Sequence, residues 1–179
     1  MRRLVVCSYV LGIVMISGGS QLRAADNIAG PLKTQWDSIR NLMVKTVQAV
    51  PEDKYDFKPV AGVYSFRELF IHVAGENYFF MSRASGEKPP EQKLDGLKTR
   101  DEIVKALNDS YDYGTKVLAG MTDEKAVETI TGPGGKQMPR WAAALGNIVD
   151  NMDHYGNLVV YMRINGIVPP STAARQQRQ

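Results

Sequence analysis

Four long segments of this 179-residue chain carry apolar residues at three- and four-residue steps, which is the spacing of an amphipathic helix. A proline or glycine follows each segment closely, as is common after the C-terminus of a helix. The segments cover residues 28–50, 65–83, 99–120 and 140–165. Because one extended connection joins the last two, the pattern predicts an all-α protein with a single domain, a four-helix bundle over residues 26–170.

The first two connections also carry local signals. Ser65-Phe-Arg-Glu68 and Thr99-Arg-Asp-Glu102 are capping boxes, which predict that the second and third helices begin there. Pro51 ends the first helix, and Tyr55 and Phe57 in the loop that follows are expected to fold onto the core.

The connection between the third and fourth helices predicts smaller elements. A short helical turn is expected at Thr122–Glu124, and residues 127–138 predict a small hairpin or an irregular flap. The segment Gly132–Gly135 indicates a turn rather than a phosphate-binding loop, because no strand precedes a helix there. After the fourth helix, the polar residues Ser171–Gln179 are expected to be disordered.

The N-terminal residues have the order of a secretory signal peptide. Arg2 and Arg3 precede an apolar run over residues 4–16, and small residues ending in Ala24-Ala25 follow it. We therefore predict a signal peptide over residues 1–25, removed by cleavage at the Ala24-Ala25 pair, and a periplasmic or secreted protein. A retained N-terminal anchor is the alternative interpretation.

Removal of this segment would change the charge balance. Three of the 22 basic residues and none of the 19 acidic residues lie within residues 1–25, which leaves 19 basic against 19 acidic residues. A balanced mature chain gives no indication of a nucleic-acid or membrane partner. The single cysteine, Cys7, also lies in this segment, so the mature protein would have neither disulfides nor thiolate chemistry.

The fourth segment places Asp150 four residues before His154, so both side chains share one helical face. The only other histidine, His72, lies in the second segment, four residues before Glu76. An acid and histidines in this arrangement can bind one metal ion. A histidine on an apolar face is also a common hydrogen-bonded core residue, and an Asp150–His154 pair would satisfy both groups without a metal.

On a helical wheel the fourth segment is apolar on most sides, which predicts that it packs against several neighbours. Its two faces comprise Trp141, Leu145, Ile148, Met152, Tyr155 and Val159 on one side, and Asp150, His154, Leu158 and Tyr161 on the other. Only Asp153 and Asn157 are expected to face solvent. Asp150 and His154 should therefore be at least partly buried.

Three parts of the chain carry a resemblance to a known family: Trp36, the segment Ser65–Ala74 around His72, and the segment His154–Pro170. Together they resemble the DinB-like (DinB/YfiT) superfamily of bacterial four-helix bundles. The resemblance implies a divalent metal held by one histidine of the second helix and two histidines four residues apart on the fourth. His72 and His154 match two of these positions. Asp150 stands where the family pattern has histidine, and Asn157 stands where it has glutamine.

This resemblance implies a metal site formed by His72, Asp150 and His154, with open positions for water or substrate. Zinc or nickel would be the first candidates, and iron or manganese also suit two imidazoles and a carboxylate. Glu76 is expected beside an imidazole rather than as a ligand, and Glu76 and Tyr161 are the candidate catalytic residues. Alternatively, Asp150 marks a branch of the family that has lost the metal.

Two classes of function stay open at this point. One is a metal-dependent hydrolase or transferase that acts on an unknown small molecule. The other is a non-catalytic module that binds a ligand or forms a homodimer. The aromatic residues Phe79, Phe80, Tyr111 and Tyr113 are expected to be core or dimer contacts in either case.

Overall fold

The computed structural model describes residues 28–178, so the predicted signal peptide over residues 1–25 lies outside the described part. The helices are α1 (Ala29–Ala49), α2 (Phe66–Ser85), α3 (Arg100–Ala119), α4 (Asp123–Ala126), α5 (Arg140–Ile164) and α6 (Pro170–Gln176). The strands are β1 (Thr129–Thr131) and β2 (Gln137–Pro139). None of the helices in this part of the chain has the length and apolarity that a membrane span requires.

Helices α1, α2, α3 and α5 form the predicted four-helix bundle. Helix α2 packs against α3 and α5, and α1 packs against the same two helices, so α1 and α2 lie diagonally opposite each other. Tertiary packing of apolar faces accounts for most of the stability of such helices. The all-α fold predicted from the sequence is confirmed.

The helix boundaries follow the capping signals. The Ser65 side chain accepts a hydrogen bond from the Glu68 amide, and the Glu68 carboxylate accepts one from the Ser65 amide. Thr99 and Glu102 form the same reciprocal pair at the start of α3. Helix α2 ends at Ser85, and the next residue, Gly86, has a φ of 78° in the left-handed region that favours glycine.

The core is centred on Trp36, which is fully buried and packs against Tyr111 with ring centroids 4.8 Å apart. The Trp36 indole N–H donates to the Tyr111 carbonyl oxygen at 3.1 Å. Tyr55 is also fully buried, and Phe57 packs on the core from the same loop, as predicted. Aromatic residues therefore hold the loop after α1 against the bundle.

A network of buried amides crosses the middle of the bundle. Asn77, Ser110, Asn147 and Asn151 are all fully buried. Asn151 Nδ2 donates to Asn77 Oδ1 at 3.0 Å and to Asn147 Oδ1 at 2.9 Å, and Asn77 Nδ2 donates to Ser110 Oγ at 3.0 Å. The Tyr111 hydroxyl donates to Asn151 Oδ1. These bonds set the register of α2, α3 and α5, since a slipped helix would leave buried polar atoms unpaired.

We expect Asn151→Ala to destabilise the protein by about 2–3 kcal/mol, because it removes the partner of the Asn77 carbonyl and of the Tyr111 hydroxyl. Urea denaturation followed by circular dichroism measures this change. Asn157→Ala, at an exposed position of the same helix, should change the free energy of unfolding by less than about 0.5 kcal/mol. Equal effects at the two positions would contradict the structural role of the network.

The prediction that the α5 face carrying Leu145 and Met152 packs against neighbouring helices was wrong for these two residues. Leu145 and Met152 are 38% and 47% exposed, and Val149 is exposed beside them. The buried side instead includes Ala143, Ala144 and the two asparagines of the network. Small and amide side chains let α5 approach its neighbours closely and form hydrogen bonds with them. A helical wheel does not show this, because it compares only the apolar content of the faces. Asp153 and Asn157 are exposed, as predicted.

The connection between α3 and α5 contains both of the expected small elements. The turn of helix is α4, and β1 pairs with β2 as an antiparallel hairpin in which Ile130 lies opposite Met138.

At the C-terminus, the prediction of disorder over residues 171–179 was wrong for most of that segment. Helix α6 begins at Pro170 and packs on α1, and the Ser171 amide donates to the Tyr155 hydroxyl at 3.1 Å. Proline in the first turn and this long-range bond stabilise a helix that composition alone did not indicate.

Candidate metal centre

Two pairs of ionisable side chains face each other across the α2–α5 contact. His72 and Glu76 are one turn apart on α2, and Asp150 and His154 are one turn apart on α5. The two helices run antiparallel, because the start of α5 lies at the end of α2. Arg140 Nη1 donates to the Ala84 carbonyl oxygen at 3.2 Å there. The fold thus brings together the three residues predicted as a metal site.

Glu76 lies at the centre of the group. Its Oε1 is 3.3 Å from His72 Nε2, and its Oε2 is 3.1 Å from His154 Nε2. Asp150 Oδ2 is 3.5 Å from the same nitrogen of His154. The imidazole rings of His72 and His154 have centroids 4.9 Å apart and an interplanar angle of 83°. One donor atom each from His72, Glu76 and His154 lies within 4.8 Å of the others, so these three residues could hold one metal ion.

Two polar atoms of this group are buried and have no hydrogen-bond partner among the described residues. They are Asp150 Oδ2 and His154 Nδ1. Asp150 Oδ2 has only the 3.5 Å contact with His154 Nε2, and a buried carboxylate oxygen that accepts no hydrogen bond is costly unless a cation is bound. Two imidazole nitrogens and two carboxylates are also ligands that divalent transition metals accept. The residues present therefore fit a metal ion.

The electrostatics of the group reflect two carboxylates in one partly buried site. Burial, and then the hydrogen bond and negative charge of Glu76, raise the pKa of Asp150 to about 7, and the two histidines act in the opposite direction. Burial, and then the neighbouring His154, lower the pKa of His72, while Asp150 opposes this change. A divalent cation would favour the charged carboxylates and the neutral imidazoles together.

The raised pKa of Asp150 gives a pH dependence of stability in the metal-free protein. The folded value of about 7 lies above the ordinary 3.8, so the folded state binds this proton more tightly than the unfolded state. The contribution of Asp150 is fully present below about pH 4 and is lost as pH rises through 7. We expect wild type to lose about 1–3 kcal/mol relative to Asp150→Asn over that range.

Urea denaturation in the presence of a chelator, at several pH values, measures this difference. The lowered pKa of His72 acts with the opposite sign, since stability from that group rises with pH. Comparison with Asp150→Asn is therefore needed to isolate the carboxyl group. If the free energy of unfolding of wild type relative to Asp150→Asn stays constant or rises with pH, the prediction is contradicted.

A cleft of about 250 Å³ opens beside His154. It is lined by Gly62, Val63, Tyr64, Leu69, His154, Asn157 and Tyr161. The Tyr64 ring packs against His72 with centroids 5.0 Å apart, so this loop residue joins the cleft to the donor group. The Tyr161 hydroxyl donates to the Tyr64 carbonyl oxygen at 3.1 Å, and burial raises the pKa of Tyr161. Tyr161 thus lies in the cleft wall, and its hydroxyl group already donates a hydrogen bond to the backbone.

Sequence reasoning placed Glu76 beside an imidazole but not between two of them. Its spacing from His72 was visible in the sequence, whereas its approach to His154 depends on how α2 and α5 pack. Tyr64 was not anticipated at all, because it belongs to a loop without a periodic pattern.

Comparisons with known proteins agree with this fold. A family model described as the DinB superfamily matches residues 35–158. No curated protein shows significant sequence similarity to the chain.

Solved structures of DinB-like proteins are similar to this chain over most of their length. One, from Bacillus subtilis, is 21% identical with a TM-score of 0.64 and is matched over 76% of this chain and 92% of that one. Another, from Bacillus cereus, is 16% identical with a TM-score of 0.68, over 79% and 95% of the two chains. A putative DinB family member from Exiguobacterium sibiricum is 16% identical with a TM-score of 0.63, over 78% and 93%.

At these identities the structural likeness shows the fold alone. The family model adds the sequence evidence, because it covers well over half of the chain and includes all four residues of the donor group. The resemblance found in the sequence is confirmed, and this chain belongs to the DinB superfamily.

Proposed function

We propose that this protein binds a divalent metal ion through His72 and His154 together with the carboxylates of Asp150 and Glu76. The observation that carries the proposal is the convergence of donor atoms from α2 and α5, with Glu76 within 3.3 Å of both imidazoles. The buried Asp150 Oδ2 atom supports it, because this atom lies 3.5 Å from His154 Nε2 and accepts no hydrogen bond from the described residues. The ligand set keeps Asp150, as predicted from the sequence, and adds Glu76.

The donor types narrow the choice of metal. Imidazole suits zinc, nickel and iron, and carboxylates are also accepted by manganese. We propose zinc or nickel first, with iron and manganese as the alternatives to be tested. Two carboxylates and two neutral imidazoles would balance the charge of a divalent ion, which favours its binding in a partly buried site.

We further propose that the protein is a metal-dependent hydrolase or transferase acting on a small molecule. A metal ion in such a site supplies Lewis-acid chemistry and lowers the pKa of a bound water. The cleft beside His154 supports a binding role for this end of the bundle, because it opens directly next to one of the donor residues. Among the described residues, its lining contains no lysine, arginine or acidic side chain, which favours a substrate without strong charge.

Elemental analysis of the untagged protein tests the metal proposal. We expect close to one metal ion per chain, either as purified or after removal with a chelator and reloading with each candidate ion. Asp153→Asn, which alters an exposed acid on the same helix, should retain the metal. Absence of metal after reloading with all four ions would contradict the proposal.

A dimerising bundle without catalytic activity is the second candidate function. Leu145, Val149, Met152 and Val160 leave an apolar stripe exposed along α5, which favours a homodimer contact. Light scattering coupled to size-exclusion chromatography measures the mass in solution. A dimer that Val149→Asp converts to a monomer would support this function, and a monomeric wild type would exclude it.

We also propose that the protein is exported and that residues 1–25 are removed as its signal peptide. The charged, apolar and small-residue order of the N-terminal segment supports export. N-terminal sequencing of protein recovered from the periplasm or the medium should find Ala25 or Asp26 first. An intact Met1 would support the retained anchor instead.

A further inference from the structure

A second cavity, of about 330 Å³, lies at the opposite end of the bundle from the donor group. It is formed where α2 and α3 end and where α4, Glu128 just before β1, and the start of α5 meet. Ala84 in its wall follows His72 by twelve residues, which is about 18 Å along α2. The cavity is therefore separate from the cleft beside His154. Its lining comprises Ala84, Ser85, Glu87, Tyr113, Lys116, Val117, Gly120, Met121, Lys125, Glu128 and Arg140.

One part of the wall is apolar. Ala84, Val117 and Met121 contribute aliphatic surface, and Tyr113 contributes its ring. The Tyr113 hydroxyl is buried and has no hydrogen-bond partner within the described part of the chain. This wall fits a short hydrocarbon or aromatic body, since a volume of this size is at the lower end of small-molecule sites.

The rim of the cavity is positively charged on balance. Arg140 is already engaged, because its Nε is 2.8 Å from Glu128 Oε2 and its Nη1 donates to the Ala84 carbonyl oxygen. Lys116 and Lys125 have no carboxylate within 4.0 Å among residues 28–178, and Glu87 is the remaining acid of the lining. Two lysines against one glutamate leave one uncompensated positive charge beside the apolar wall.

We infer that this cavity binds a small amphipathic anion, a carboxylate carried on a short apolar body. The ammonium groups of Lys116 and Lys125 receive the carboxylate. The side chains of Val117, Met121 and Tyr113 cover the apolar part. The site is independent of the proposed metal centre, so its test does not depend on metal binding.

Isothermal titration calorimetry of the purified protein with octanoate tests the inference. We expect saturable binding at one site per chain. The double variant Lys116→Gln, Lys125→Gln keeps side-chain length and removes both charges, and it should weaken binding at least about tenfold. Octylamine, which has the same chain and the opposite charge, should not bind. Lack of saturable octanoate binding to wild type would overturn the inference.

Three further variants locate the site. Val117→Trp fills the cavity and should abolish octanoate binding, while Glu87→Gln removes the opposing charge and should bind at least as tightly as wild type. Lys105→Gln, at an exposed lysine of α3 outside the cavity, should leave the affinity unchanged. Thermal melts of each variant confirm folding. Octanoate binding that survives in folded Val117→Trp, or that falls equally in Lys105→Gln, would place the ligand elsewhere and overturn the assignment.

Discussion

His154→Ala is expected to lower the affinity for the bound divalent metal by at least about 100-fold while helical content is unchanged. The His154 Nε2 atom faces both carboxylates of the group, at 3.1 Å from Glu76 and 3.5 Å from Asp150. Removal of the His154 imidazole therefore takes away one proposed ligand, which is also the group that both carboxylates contact. Titration of the chelator-treated protein with zinc and nickel, followed by calorimetry, measures the change.

Paired variants of the two carboxylates separate their roles. Glu76→Gln and Asp150→Asn keep side-chain shape and remove one charge each, and each should lower the affinity by about 10- to 100-fold if both bind the metal. Asn157→Ala, which alters the neighbouring cleft without removing a donor atom, serves as the matched control. An affinity in His154→Ala equal to that of this control would contradict the proposed site.

Gly114→Ala is expected to give the largest loss of stability. A Cβ atom at this position of α3 would lie 2.8 Å from Trp36 Cε2 and closer still to Cζ2. The indole ring has little freedom to move, because it is fully buried and donates hydrogen bonds to the Tyr111 carbonyl and the Thr115 hydroxyl. We expect a destabilisation of about 3 kcal/mol from overpacking. A thermal melt should show a midpoint lower by about 10 °C.

Gly156→Ala provides the matched control for this prediction. Gly156 lies inside α5 with nothing within 4 Å of an added Cβ atom. Alanine has the higher helix propensity, so this variant should be stabilised by up to about 1 kcal/mol. Opposite signs at the two glycines would show that the cost at Gly114 comes from contact with Trp36. Destabilisation of similar size in both variants would contradict that explanation.

The sequence predicted the four long helices well because their boundaries depend on local chemistry. Ser65 with Glu68, and Thr99 with Glu102, form capping boxes whose bonds lie within one turn. Pro51 cannot continue a helix, and Gly86 adopts the left-handed conformation that ends one. These signals require no knowledge of the tertiary structure.

The orientation of α5 and the centre of the candidate site depend on tertiary contacts. No local sequence signal predicts the hydrogen bonds of Asn147 and Asn151, and only their buried partners explain their position. Likewise, Glu76 gains its central place because α5 brings His154 to it. Helical spacing placed Asp150 and His154 on one face, and the family resemblance added His72, but neither could show which carboxylate lies between the imidazoles.

Helices α2 and α5 are tied to each other at both ends. Arg140 at the start of α5 donates to the Ala84 carbonyl near the end of α2, and the Tyr161 hydroxyl donates to the Tyr64 carbonyl just before α2 begins. Sliding one helix past the other by a turn would break both ties and the amide network between them. Shear between these two helices is therefore suppressed, and their amide protons should exchange with solvent more slowly than those of α6. The donor group thus lies on two helices that are held against shear, so the distances between its residues should persist as the rest of the chain fluctuates.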